Sequence, residues 1–379
     1  SGAFLGKTLR QIVNTSVGGE DIRVRLSNVD GTDPLTIAEA RVALQDTDAS
    51  IVADSDRALT FSGQPMITIP AGASVWSDPV AFELPGLSML AVSIYLSSGA
   101  TGPASPVTFN QYGLQTTYIG AGNQTANVTV IADGDPVEPV YWLTGVDVVA
   151  KEGTNVMAFL GDSLTDGFDA LRLGPKNPFP SVLAHRLANR PGANPNSNQQ
   201  WGLLNVGISG NQVTASTLNV GAQVRFDRDV LAQSGVTHVF IYEGINDIGV
   251  PSLFGLPDIP AADIIDGLES LANRAHAAGL IVIGATLTPF EGFALQIAGP
   301  YFTQAGETKR QAVNAWIRQS AAFDFVVDFD AAVRNPNATT FIRGDLDGDG
   351  LHFNETGYDT IGGAIPLKIL TTRRDLKKK

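Results

Sequence analysis

"KEGTNVMAFLGDSLTDG", residues 151–167, is where the hydrophobic pattern of the chain changes period. "NVMAFLG" is a short apolar run with no polar face. It ends in glycine and is followed at once by small polar residues and a second glycine. A run of that kind suits a parallel strand covered on both sides, with a turn at its carboxyl end. Four more such runs follow: "GLLNVG", "THVFIYEG", "LIVIGATLTP" and "FDFVVDFD". Between them lie the helical stretches "FPSVLAHRLANR", "ADIIDGLESLANRAHAAG" and "ETKRQAVNAWIRQSAA". In the second of these, Ile264, Ile265, Leu268, Leu271 and Ala272 keep a 3.6-residue period. Five strand–helix repeats predict a doubly wound α/β sheet with right-handed crossovers.

Before residue 151 the pattern alternates. Ile22, Val24 and Leu26 face away from Arg23, Arg25 and Ser27. Ala40, Val42 and Leu44 face away from Glu39 and Arg41, and Leu90, Val92, Ile94 and Leu96 share one side of their strand. Period two with one polar face, and turn signals such as "VDGTDP", "FSGQP" and "IPAGAS", predicts antiparallel sheets with one face buried and the other wet, as in a β-sandwich or jelly roll. The 379 residues favour two domains, divided as residues 1–150 and 151–379.

Composition excludes several classes of function. The net charge is −13, and the only basic run is the end, "TTRRDLKKK", so no nucleic-acid partner is expected. The absence of cysteine removes disulfides, thiolate metal sites and a cysteine nucleophile. No 18-residue apolar run is present, so no transmembrane helix is expected. No cofactor is implied by any motif.

Four short blocks then carry the chemistry. Ser163 in "GDSL" directly follows the first parallel strand, where a backbone N–H can point at an anion. The plainer reading is a serine that caps the next helix. Gly210 in "NVGISGNQV" follows the second strand, where a glycine permits a tight turn and close approach to a ligand. Asn246 in "YEGINDIG" follows the third and offers an amide donor, while Asp247 is placed to anchor the loop. Asp349 and His352 in "DGDGLHFNETGY" lie three apart, after the fifth strand. That spacing lets a carboxylate hold one imidazole nitrogen while the other faces outward. His185, His238 and His276 fall on predicted helices or a strand start, which suits surface or core roles. Singly each block is weak, since a given three-residue string turns up in roughly one chain in twenty. Together they supply a nucleophile, a base, its orienting group and donors for a tetrahedral anion, all at one edge of the sheet.

With these residues the sequence resembles the SGNH/GDSL hydrolase superfamily, through Ser163 in "GDSLTDG", Gly210 in "GISGNQ", Asn246 in "GINDIG" and His352 in "DGLHFN". "TLRQIVNTSVGGEDIRVRLSN", "ATLTPFEG", "KRQAVNAWIR" and "FDFVVDFDAAVR" are similar to an extracellular GDSL-type esterase subgroup with an N-terminal β domain. The resemblance implies a three-layer α/β/α, flavodoxin-like catalytic domain and a serine esterase acting through an acyl-enzyme. It implies Ser163, Asp349 and His352 as catalytic triad, and Ser163, Gly210 and Asn246 as oxyanion hole. Short-chain carboxylic esters are the implied substrates, acetyl esters of saccharides among them, with lipase, lysophospholipase or arylesterase activity as alternatives. A secreted protein, its leader not part of this chain, is the implied location. Phe353 departs from the family, which more often has proline there, and the G-x-S-x-G elbow of other α/β hydrolases is absent.

Two readings from other classes stand beside this one. Asp345, Asp347, Asp349 and Gly350 are spaced like the first half of a calcium loop, but Thr356 stands where a bidentate glutamate belongs. Residues 1–150 could be the working part of a carbohydrate-binding protein, although four tryptophans are little material for a sugar platform. The loops 251–262 and 289–302, rich in apolar and aromatic residues, either shape a pocket or pack on the fold.

Overall fold

The computed structural model describes residues 2–97, 105–111, 113–168, 177–190 and 201–371. The basic residues after Thr371 lie outside the described residues. The chain divides into two compact units, one up to residue 154 and the other from residue 155 onward.

In the first unit, Lys7–Asn14 pairs antiparallel with Met89–Leu96 on one side and Thr117–Ala121 on the other. Glu39–Leu44 and Arg57–Ala58 complete this five-stranded sheet. A second antiparallel sheet is built on Gly19–Ser27, flanked by Leu143–Val148, Ser74–Trp76 and Val80–Leu84. Leu9, Val42, Val92 and Ile94 of the first sheet meet Ile22, Val24, Leu26 and Phe82 of the second in one core.

The first sheet differs from a strand set with one wet face. Ala91 and Ser93, on the other side of their strand from Val92 and Ile94, are also buried. Ile12, Ala43, Ala49, Ile51, Ala91, Tyr118 and Val130 form a second apolar cluster there. The reason is Arg10, which is fully buried on that face. Its guanidinium donates to Ser93 Oγ and to the carbonyls of Ala49, Thr125, Asn127 and Val128, at 2.7–3.1 Å, drawing two loops down as a cover.

The second unit holds a parallel sheet of five strands: β1 (Asn155–Gly161), β2 (Trp201–Asn205), β3 (Val236–Tyr242), β4 (Ile281–Ala285) and β5 (Phe325–Val327). Their order is β2-β1-β3-β4-β5. Met157, Ala158, Phe159 and Leu160 are all buried, as the unbroken apolar run requires. Helices Phe179–Ala188 and Glu355–Ala364 pack together, as do Ala261–Ala277 and Gln304–Gln319. On Ala261–Ala277 the residues Ile264, Leu268, Leu271 and Ala272 are buried, while Ile265 is only half-buried. Pro251–Phe254 is not loop, because the helix after β3 runs from Ile245 to Phe254 and takes Pro251 inside it.

The strand order fixes where a ligand can sit. From β1 the chain crosses to one side for β2 and then to the other for β3. The crevice of such a sheet opens beyond the carboxyl ends of the two strands flanking this reversal, β1 and β3.

Candidate active site

Ser163 is delivered by a one-turn helix, Ser163–Asp166, that starts as β1 ends. Ser163 does not cap it: Asp162 does, its Oδ1 accepting from Leu164 N at 2.9 Å. The turn closes on Gly167, whose φ of 98° is left-handed. Gly161 has no room for a side chain, since a Cβ there would lie 2.1 Å from Thr165 Oγ1 and 2.6 Å from the Tyr242 carbonyl oxygen. With the cap supplied by its neighbour, the Ser163 hydroxyl is left for other work.

That hydroxyl lies 2.9 Å from His352 Nε2, and His352 Nδ1 lies 2.8 Å from Asp349 Oδ2. A carboxylate only accepts, so the Nδ1 proton points at Asp349 and Nε2 presents its lone pair to the serine. The other Asp349 oxygen accepts from the main-chain N–H groups of His352 (2.8 Å) and Leu351 (3.1 Å). Burial pushes the Asp349 carboxyl up, but the His352 and main-chain hydrogen bonds outweigh it and hold it below the ordinary carboxylate range. The imidazole meets two rings, the tilted Phe168 at 4.4 Å and the edge-on Phe293 at 5.7 Å between centroids. Phe353 is fully buried against Tyr358, so this loop is pinned by an aromatic anchor rather than by a proline ring.

The aspartates of the "DLDGDG" stretch are engaged separately. Asp345 pairs with Arg343 at 2.9 Å, Asp347 accepts from Gly350 N at 2.6 Å, and Asp349 holds the histidine. Among the described residues, no group of three or more His, Asp or Glu side chains is placed to hold a metal ion.

The two remaining blocks meet beside the serine turn. Ile208–Asn211 is a tight turn closed by Asn211 N to Ile208 O at 2.9 Å, with Gly210 at φ 79° in the position that requires a left-handed residue. Asp166 of the serine turn accepts from Ser209 Oγ at 2.8 Å, and Asn205 Nδ2 donates to Thr165 O at 2.7 Å. Asn246, almost fully buried, donates from Nδ2 to the Asn211 carbonyl at 2.9 Å. Asp247 anchors the same loop by accepting from Val213 N, Thr214 N and Thr214 Oγ1 at 2.7–2.9 Å. The other histidines stand elsewhere: His185 is exposed, His238 bonds Thr237, and His276 pairs with Asp324.

Three participants escaped the sequence reading. Arg225, fully buried, donates to the carbonyls of Gly161 (3.0 Å) and Val206 (2.6 Å), to Asn211 Oδ1 (2.8 Å) and to Asp229 (3.1 Å). It thereby ties the carboxyl end of β1 to the Gly210 loop. Glu243 lies 3.9 Å from Arg225, and among the described residues neither carboxyl oxygen has a hydrogen-bond partner. Burial pushes Glu243 well above the carboxylate range, and Asp162 up to about 7. Tyr301 donates to Asn246 Oδ1 at 2.9 Å. It arrives on the 289–302 loop, which therefore touches the site. The loop's aromatic content was a signal, but nothing in the sequence says which ring reaches which loop.

A model of the GDSL-like lipase/acylhydrolase family matches residues 159–360. No curated protein matches the chain. Among solved structures, a GDSL-like lipase from Bacteroides thetaiotaomicron VPI-5482 is 18% identical, covering 57% of this chain and 87% of its own, with a TM-score of 0.39. An acetylxylan esterase from Geobacillus stearothermophilus is 19% identical, covering 58% of this chain and 95% of its own, with a TM-score of 0.41.

Proposed function

The chain belongs to the GDSL-like lipase/acylhydrolase family and is a carboxylic ester hydrolase, and from that premise we propose that it cleaves esters through an acyl-enzyme on Ser163. In this reading His352 Nε2 takes the hydroxyl proton as Ser163 Oγ attacks the ester carbonyl. Asp349 keeps the imidazole in the required tautomer and stabilises it once it carries two protons. The main-chain N–H groups of Ser163 and Gly210 and the Asn246 amide receive the developing oxyanion. His352 then protonates the departing alcohol. In the second half it takes a proton from water, which attacks the acyl-enzyme and releases the acid. The observation that supports this most is the unbroken relay from Ser163 Oγ to His352 (2.9 Å) to Asp349 (2.8 Å), drawn from segments 189 residues apart.

For the substrate we propose short acyl groups on soluble or polysaccharide-borne alcohols, acetyl esters first. The net charge of −13 disfavours an anionic lipid surface, and among the described residues no helix is long and apolar enough to cross a membrane. Residues 151–379 are the proposed catalytic domain. Residues 1–150 are the proposed β-sandwich accessory, and secretion is the proposed location, on its likeness to extracellular esterases.

The test is a panel of p-nitrophenyl esters from acetyl to octanoyl, together with acetylated xylan, run on wild type and Ser163→Ala. Turnover should fall by at least about 10⁴-fold in the variant, as for other hydrolases stripped of their serine. Wild-type hydrolysis by Ser163→Ala overturns the mechanism. A rate that rises steadily with acyl length overturns the substrate class.

A further inference from the structure

We propose that Tyr301 is a positioning residue that locks the Asn246 amide with one N–H free for the oxyanion. The inference rests on the reading of Asn246 as an oxyanion donor and goes beyond it by naming what aims that donor. The Asn211 carbonyl can only accept, so the group 2.9 Å from it must be Asn246 Nδ2. The amide oxygen therefore faces the other way, where the Tyr301 hydroxyl donates to it at 2.9 Å. Both ends of the amide plane are fixed, and of its two N–H groups one is spent on Asn211 and the other meets no acceptor among the described residues. The torsion that swings an asparagine amide is broad and soft, so neither contact alone would hold that last N–H in one direction.

Tyr301 is itself held. Its ring lies on Gly249, on the same helix as Asn246 and one turn further on. A Cβ at Gly249 would sit 2.3–2.5 Å from the ring carbons, so glycine is what makes the seat. Phe290 and Phe293 meet the ring edge-on at 6.0 and 5.1 Å. The loop around it is fastened to the end of that helix by Ser252 Oγ to Pro300 O (2.7 Å) and Ala298 N to Leu253 O (2.9 Å). Burial pushes the phenol well above its ordinary range, so the hydroxyl keeps its proton and remains a donor.

A donor that is mis-aimed is missed only when negative charge develops on the substrate oxygen. Its loss therefore lowers kcat rather than raising KM. The experiment compares full-length wild type, Tyr301→Phe, Asn246→Ala and the double variant on p-nitrophenyl acetate. Tyr301→Phe should lose about tenfold in kcat with KM within about twofold, from one lost hydrogen bond. Asn246→Ala should lose about 10²–10³-fold, and the double variant no more than Asn246→Ala alone. Gly249→Ala, which displaces the ring by adding a methyl group, should repeat the Tyr301→Phe signature and replaces it if that variant does not fold. Wild-type kcat in Tyr301→Phe, or losses that multiply in the double variant, overturns the positioning role. Wild-type kcat in Asn246→Ala overturns the oxyanion reading itself, and the two failures are told apart by which single variant stays active.

Discussion

In the first unit the buried guanidinium of Arg10 is met by one hydroxyl and four main-chain carbonyls and, among the described residues, by no carboxylate at hydrogen-bond distance. In the second, the equally buried Arg225 is met by two carbonyls, the Asn211 side chain and the Asp229 carboxylate, with Glu243 at 3.9 Å. Burying a cation is costly in either place unless its donors are filled. What differs is which part of the chain the acceptors belong to. Those of Arg10 come from its own sheet and from the loops that cover one sheet face. Those of Arg225 come from the ends of β1 and β2, from the residue that receives the Asn246 amide and, four residues on in its own segment, from Asp229. The same chemistry therefore closes a core in one unit and aligns the loops around Ser163 in the other.

The sharpest way to break that contrast is to remove each cation in turn. Arg225→Met should reduce ester turnover by about 10²-fold or more, because three segments around Ser163 lose their common tie. It should also lower stability by about 3–5 kcal/mol, since Asp229 and the carbonyls lose their donor. Stopped-assay kinetics and urea unfolding read the two separately. A variant destabilised by that amount but turning over at the wild-type rate would reduce Arg225 to a core residue like Arg10. Arg10→Met should cost about 3 kcal/mol through carbonyls left unsatisfied, with kcat unchanged at 25 °C. A large drop in its kcat would show that the first unit is part of the machinery after all.

The same contrast explains what was legible in the sequence. Strand period and glycine placement were readable, because apolar alternation in residues 22–26 and continuity in residues 157–160 are local properties. Ser163, Asp349 and His352 were picked out as candidates, and the fold brings them together, because a serine proposed as a nucleophile needs partners of only a few residue types. Arg225 and Tyr301 were not. Each acts on an atom 14 to 64 residues away, through a contact that exists only once the sheet order is fixed. The wet face expected on the first sheet failed for the same reason, since Arg10 reaches loops 39 and 115–118 residues on. The serine-as-cap reading failed more locally: Asp162, one residue earlier, has the geometry of the cap.

His238 sharpens the contrast from the side of pH. It is 5% exposed at the start of β3, edge-on to Trp201 at 4.8 Å and far from Ser163, Asp349 and His352 in sequence. Burial pulls its pKa down to about 4, with the Asp324 charge opposing. The unfolded chain has an ordinary imidazole near about 6.5. Between these values the unfolded state binds the extra proton and the folded state does not. Stability therefore rises with pH across this window and is lost as pH falls from about 6.5 towards 4. The full loss is up to about 3 kcal/mol. His238→Gln should flatten urea midpoints over that window while leaving kcat at pH 8 unchanged. An equally steep acid loss in the variant would assign the sensitivity to other groups.

The smallest effect is the most discriminating about burial itself. Arg23 forms an ion pair with Asp147 at 2.7 Å and lies 4.5 Å over the Trp76 ring, yet its side chain is 40% exposed. Water can solvate this guanidinium when the partner is removed, as it cannot for the fully buried Arg10 in the other sheet. Asp147→Asn should therefore cost less than about 1 kcal/mol. At about 1 M salt, where the screening length shrinks to roughly 3 Å, most of that difference should vanish. The Arg10→Met loss should survive the same salt, because no ions reach its acceptors. If both losses shrink together in salt, the loops over the first sheet do not exclude water, and the five acceptors around Arg10 are not what holds them down.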